Sequence, residues 1–339
     1  MHPPENARPC QPILLLTKAS LFGVTLPDAV VNARMTPLRE EVTALKAAAA
    51  AEAEKNRVLH EGLLFAVAES GDPAAMLVLL QHTSLPVDYE NEAGDTLLTV
   101  ASEHGHLGVV EALLDGGAEV DKACEDGFTA LHSASKNGHV GVVVVLMGKG
   151  VEVNKATTRG TTALFNASLG GHLDVVEALL REGAVVDKAC TNGATPLWIA
   201  SQNGHTGVVE VLLAKGAEVD KARTDDEVTP LCMASQEGHV GVVEVLLRKG
   251  AEVDKASTLG STPLVTASVN GHVDVVEVLL GQGAQVNKAT PHGTTPLYAA
   301  SVEGHVSVVE ALLGSTYHTP PYSSTPSYQH TWLGSTFFI

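Results

Sequence analysis

The fold is decided by one stretch, "NGATPLWIASQNGHTGVVEVLLAKGAEVDKA", Asn192 to Ala222. The Thr195 hydroxyl can accept from the free backbone N–H groups that open a helix, and Pro196 follows at the first helical position, where a missing donor is harmless. Gly204 can take the left-handed conformation that stops that helix. A second helix then runs through "GVVEVLLAKG", apolar at Val209, Leu212 and Leu213, and closes at Gly216. "AEVDKA" reads as a short β-type stretch leading into a polar loop. The unit is an antiparallel helix pair with a hairpin tip.

Working outward, the unit recurs. Gly-His pairs fall at 105–106, 138–139, 171–172, 204–205, 238–239, 271–272 and 304–305, a period of 33 with one step of 34. The long step arises where "ARTDDEVTPL" (Ala222–Leu231) replaces "ACTNGATPL" (Ala189–Leu197), so one loop has gained a residue and lost its turn glycine. A unit of this kind exposes two apolar faces that only its neighbours can cover, and stability is then a sum of nearest-neighbour interfaces.

The turn glycine, Thr-Pro-Leu, Ala-Ser, Gly-His, Val-Val, Leu-Leu and Gly-Ala of these units resemble the ankyrin repeat nearly position for position. The resemblance implies a mainly α fold, an ankyrin-repeat α-solenoid with short β-hairpin tips, and it covers seven units over 91–313. A degenerate copy precedes them at 59–90, in "EGLLFAVAESGDPAAMLVLL". Upstream, an alanine-rich helix over 35–58 opens at Thr36-Pro37, with Leu38, Val42 and Leu45 on one side, and reads as a cap or a short coiled coil. Residues 1–34 read as weakly ordered. Residues 314–339 form a tail rich in Ser, Thr, Pro and Tyr whose aromatics either cover the last unit's apolar face or serve as a short motif.

Composition narrows the function classes. The 339 residues are 45% hydrophobic but only 4% aromatic, with 32 glycines, so small aliphatics do the packing. The apolar run "VVVVLM" (Val142–Met147) is far short of the ~20 residues that span a bilayer, which argues against membrane insertion. With 21 Lys and Arg against 39 Asp and Glu, the formal charge of −18 repels a phosphate backbone and excludes nucleic acid as the natural partner. Cys10, Cys124, Cys190 and Cys232 form no CxxC pair or compact framework, which suits a reducing compartment: the cytoplasm, with the nucleus left open.

No motif reads as a reactive site, and neither a cofactor nor a metal is expected. Seven of the fifteen histidines stand in register, but stacked helices lie about 8–10 Å apart and zinc holds its ligands at about 2.0–2.3 Å. Such histidines read as hydrogen bonds between neighbouring loops. Cys124 and Cys190, two units apart, lie about 16–20 Å from each other, too far for a disulfide. The recurring Glu column (Glu111, Glu177, Glu210, Glu244, Glu277, Glu310) and Lys column (Lys122, Lys155, Lys188, Lys221, Lys255, Lys288) read as solvated faces. Asn154 and Asn287 stand where, by the resemblance, ankyrin proteins can be substrates of an asparagine hydroxylase.

Positions that vary between units while the frame is held are those the fold does not dictate. They cluster at the tips, where Phe128, Arg159, Asn192, Asp225, Asp226, Leu259 and His292 stand, and on the first helices, with His132, Phe165, Trp198, Gln202, Met233 and Tyr298. The resemblance implies that tips and first helices together form a concave partner-binding groove, and these thirteen are the candidate contacts. Two readings of Trp198 stay open: aromatic packing across the repeat interface, or an anchor in the groove beside Phe165. The function so indicated is a non-catalytic scaffold or adaptor, a monomeric array binding one or more proteins. The alternative is the regulatory or targeting portion of an enzyme assembly whose catalytic domain lies on another chain or outside this reading frame.

Overall fold

A computed structural model describes residues 28–82 and 85–316 and contains sixteen helices among them. A long helix α1 (Asp28–Ser70) and α2 (Pro73–His82) come first. Seven helix pairs follow: α3 (Leu97–Glu103) with α4 (Leu107–Asp115), α5 (Ala130–Lys136) with α6 (Val140–Gly148), α7 (Ala163–Gly170) with α8 (Leu173–Arg181), and α9 (Pro196–Gln202) with α10 (Thr206–Ala214). The last three are α11 (Pro230–Glu237) with α12 (Val240–Arg248), α13 (Pro263–Asn270) with α14 (Val273–Gly281), and α15 (Pro296–Glu303) with α16 (Val306–Thr316).

The local rules act as the sequence suggests. Thr96, Thr162, Thr195, Thr229, Thr262 and Thr295 each accept at the side chain from the backbone N–H three residues on, and Thr129 forms a capping box with His132. Gly204 and Gly216 hold φ of 75° and 90°, ending the two helices of the quoted unit. Leu197, Val209 and Leu212 are fully buried, as are their counterparts Leu164, Val176 and Leu179 one unit earlier, so a single aliphatic core runs the length of the array. First helices of neighbouring units meet more extensively than second helices do. The stack therefore bends with the first helices on its inner side.

The Gly-His pairs tie each unit to the one before. His139 Nε2 lies 2.8 Å from the Glu103 carbonyl, His172 2.9 Å from that of Lys136, and His205 3.0 Å from that of Leu169. Each ring rests on the preceding unit's glycine: a Cβ on Gly138 would stand 2.5 Å from the His172 ring. The histidine column is thus a row of inter-unit bonds. The Lys column is more than a solvated face, because Lys122, Lys188 and Lys288 donate to the carbonyls of Asp88, Asn154 and Asp254 at 2.7–2.9 Å. The Glu column is exposed at all six positions.

Three features differ from the sequence reading. The "AEVDKA" stretch curls into a turn instead of running extended, with Lys221 N–H donating to Glu218 O at 3.1 Å. The β character of the tips is confined to single paired bonds, such as Cys124 N–H to Phe128 O at 2.9 Å, and the Glu90–Thr96 bridge. The upstream helix starts at Asp28, not Thr36, and runs unbroken through residue 58 into the degenerate unit, because the alanines from Ala47 to Ala53 offer no breaker. Residues 40–59 of that helix are exposed throughout, so this portion caps nothing. Of the segment read as weakly ordered, 28–34 is helical and 1–27 lies outside the described residues, as does the tail beyond 316.

Candidate functional site

Adjacent tips are joined backbone to backbone. Thr158 N–H donates to Asp126 O, Thr191 N–H to Arg159 O, Thr224 N–H to Asn192 O and Thr258 N–H to Asp226 O, at 2.9–3.1 Å. The turn glycine permits this approach: a Cβ on Gly193 would stand 2.4 Å from Thr224 N. In the tip that has no glycine, Glu227 takes the left-handed conformation (φ 55°) in its place. The extra residue widens that turn, with Arg223 N–H donating to Val228 O at 3.0 Å, and an Arg223–Asp226 ion pair closes it. Arg223 holds the Asp226 carboxyl below the usual carboxylate range.

This ribbon presents its variable side chains beside the first helices. Arg159, Asp225, Leu259 and His292 are exposed, and Phe128, Asn192, Gln202 and Asp226 are half-buried. Leu259 is 72% exposed. Between the second and third regular units lies a cavity of about 290 Å³, lined by Asp126, Phe128, Lys136, Thr157, Thr158, Arg159, Thr161, Phe165, Asn166 and Leu169. Three of the thirteen candidates, Phe128, Arg159 and Phe165, meet here. Lys136, Asn166 and Leu169 also line it. Their signal lay in the sequence, one or four residues beyond the slot occupied by His132 and Phe165.

Four candidates point inward instead. His132, Phe165, Trp198 and Met233 are 1%, 8%, 3% and 6% exposed. Phe165, Trp198, Ile199 and Met233 form a second apolar cluster with Ala194, and Leu169, Cys190 and Val228 pack against it. The Trp198 indole N–H donates to Val228 O in the next tip at 2.9 Å, and the Arg223 guanidinium stands 4.7 Å from the ring centroid. The tryptophan therefore fills the interface between the fourth and fifth regular units, and the tip that lost its glycine folds over it. As a groove anchor it has no face to offer. Tyr298, in the same slot of the seventh unit, is 61% exposed because no described unit covers it. The thirteen candidates thus divide into a solvent-facing row and an internal floor.

His132 is the most perturbed of these groups. Thr129 N–H donates to its Nδ1 at 3.2 Å and its Nε2 faces Lys155 O at 3.1 Å, the pattern of a neutral ring protonated at Nε2. Burial pushes its pKa down to about 4. Burial likewise pushes the Cys232 thiol up to about 11, away from the thiolate that nucleophilic chemistry needs. Cys124, Cys190 and Cys232 are free thiols. Asn154 is engaged on both sides, accepting from Val185 N–H at 2.8 Å and donating to Gly183 O at 3.1 Å. Among the described residues no group of three His, Cys, Asp or Glu could hold a metal ion, and no helix is long and apolar enough to cross a membrane.

Comparison with known proteins agrees with this architecture. The family of ankyrin repeats (three copies) matches over residues 63–157, 142–225, 165–257 and 231–320. The crystal structure of the human ASB11 ankyrin repeat domain is similar to the chain with a TM-score of 0.62 and 31% sequence identity, covering 67% of this chain and 100% of that one. No curated protein sequence matches.

Proposed function

The chain belongs to the ankyrin-repeat family, and from that premise we propose that it is a non-catalytic scaffold or adaptor that holds a partner protein along its tips and first helices. Members of the family are in general protein-binding modules. The observation that carries the reading for this chain is the 290 Å³ cavity between the second and third regular units, because its lining comes from positions the repeat frame leaves free. Phe128 and Phe165 bring apolar surface to its lining, and Asp126, Lys136 and Arg159 bring charge. Such a cavity suits one large apolar side chain of an extended segment, flanked by groups that pair with those charges.

The floor is rigid for a physical reason. Phe165 packs in the cluster with Trp198 and Met233, so the receptor surface is ordered before a partner arrives and little entropy is lost on binding. The reading assigns no reaction: each histidine of the Gly-His column is spent on an inter-unit carbonyl, and the Cys232 thiol is buried with a raised pKa. Free thiols at Cys124 and Cys190 suit a scaffold of the cytosol or nucleus.

The test is quantitative capture of partners by the full chain and by an F128A/R159A variant, with melting measured on both. Arg159 is exposed, whereas Phe128 is half-buried with its ring 5.5 Å from that of His132, so capture is compared at a temperature where melting shows both proteins folded. The reading expects at least one partner to be lost by about tenfold or more, the effect of removing a hot spot worth over 1.4 kcal/mol. Equal capture of every partner by both proteins would overturn it.

A further inference from the structure

Helix α1 carries a second surface, independent of the groove reading. About 30 of its residues precede the repeats, a rod of roughly 45 Å at 1.5 Å per residue, and positions 40–59 are exposed at every residue. An isolated helix gains no stability from packing, yet this one has an ordered apolar stripe. Val42, Leu45, Ala49, Leu59 and Leu63 recur at alternating steps of four and three residues, with Glu52 and Asn56 filling the two places between. In heptad terms Val42, Ala49, Asn56 and Leu63 are a positions and Leu45, Glu52 and Leu59 are d positions. Counted back in the sequence, the register also meets Leu38. Val42, Leu45, Leu59 and Leu63 are 46%, 64%, 66% and 45% exposed.

We propose that this stripe is the seam of a parallel, in-register, two-stranded coiled coil between two copies of the chain. Three observations choose that occupant over another protein. The a and d places carry a β-branched Val42 with Leu45 and Leu59, the preference of two-stranded parallel coils. Asn56 stands at an a position, where only a parallel, in-register second copy sets an identical amide opposite it to form a hydrogen bond. Glu41 at g and Lys46 at e stand five residues apart, so two symmetric Glu41–Lys46 pairs form across the same dimer and none form in an antiparallel one.

The repeat body does not block the seam. Leu64, Val67 and Ala68 are the face of α1 that packs on the array, and at 100° per residue the Leu59–Leu63 stripe lies about a quarter to a third of a turn away from it. The two arrays therefore splay to either side of the rod. Glu52 sets two carboxylates against each other at a d layer, which keeps the association weak and reversible.

Sedimentation equilibrium of the full chain should show the mass of one chain passing to that of two as concentration rises. V42E/L45E changes two exposed side chains ahead of the repeats and should abolish the dimer without altering repeat melting. A47E/A51E, which adds the same charge away from the seam, should leave the dimer in place. E52L should tighten it by about tenfold or more, since a leucine layer replaces a like-charge layer. N56C should give an interchain disulfide on mild oxidation of a chain whose other cysteines are serine, as in-register apposition requires. A monomer at every concentration, a dimer indifferent to V42E/L45E, or failure of N56C to cross-link within a dimer would overturn the proposal.

Discussion

Protonating His132 should loosen the junction between the second and third regular units. The ring is 1% exposed, its Nδ1 accepts from Thr129 N–H, and its Nε2–H faces the Lys155 carbonyl. A proton added at Nδ1 would lose the bond from Thr129 N–H at 3.2 Å, and although the Thr129 hydroxyl at 2.8 Å can turn to accept it, the charge would sit on a buried ring. Burial accordingly pushes the pKa down to about 4, whereas an unfolded histidine titrates near about 6.5. The sign follows: with the folded pKa below the unfolded one, the contribution is complete above about pH 6.5 and is lost as the pH falls toward 4. At about pH 4.5 the unfolded chain's uptake of the proton is worth about 2.5 kcal/mol. The assay compares urea midpoints of the parent and of H132V, which carries the valine found at Val265 in the same slot, at about pH 7.5 and 4.5. Carboxylates move both proteins alike, so the stability difference should swing by about 2.5 kcal/mol in favour of H132V on acidification. Parallel pH profiles, or a His132 ring resonance titrating near the ordinary value, would refute the reasoning.

Other substitutions probe the frame. Glu227→Gly relieves a left-handed residue (φ 55°) and should stabilise the array by about 0.5–1 kcal/mol in a chemical melt; a loss would mean the Glu227 side chain holds the tip. Gly138→Ala places a Cβ 2.5 Å from the His172 ring and should destabilise by about 3 kcal/mol or more, whereas Gly117→Ala, also at positive φ but with nothing within 4 Å, should lose only about 1 kcal/mol. Equal losses would deny the histidine its place on the glycine. Trp198→Ala removes the indole bond to Val228 and the core of the second cluster, and should lower stability by about 3–5 kcal/mol in a chemical melt. Intact melting with lost binding would restore Trp198 as an anchor.

The helix pairs were legible because the signals are local: a threonine cap, a proline at the first position and a glycine at the end act within one turn of chain. The Gly-His column was legible too, since repetition at a fixed period puts equal residues at equal places. What the sequence hid is which way a variable side chain points. His132, Phe165 and Trp198 share the slot of Tyr298, yet the first three are buried and Tyr298 is 61% exposed, because exposure there depends on whether a following unit covers the slot. The Lys column looked like a solvated face for a related reason: its acceptors are backbone carbonyls one unit away, which leave no mark in composition. Arg223 illustrates the same limit, since its stacking on Trp198 joins residues of two units through a loop of unusual length.

The central claim is that partners bind along the tips and first helices and not on the second-helix face. Site-specific photo-cross-linking tests it most directly. A photoreactive residue is placed at exposed Arg159 or Leu259 on the tips, and at exposed Glu210 or Glu277 on the second helices. The account predicts discrete cross-linked protein adducts from Arg159 and Leu259, competed away by unlabelled full chain, and none of the same mass from Glu210 or Glu277. Adducts arising from the second-helix positions alone would contradict it.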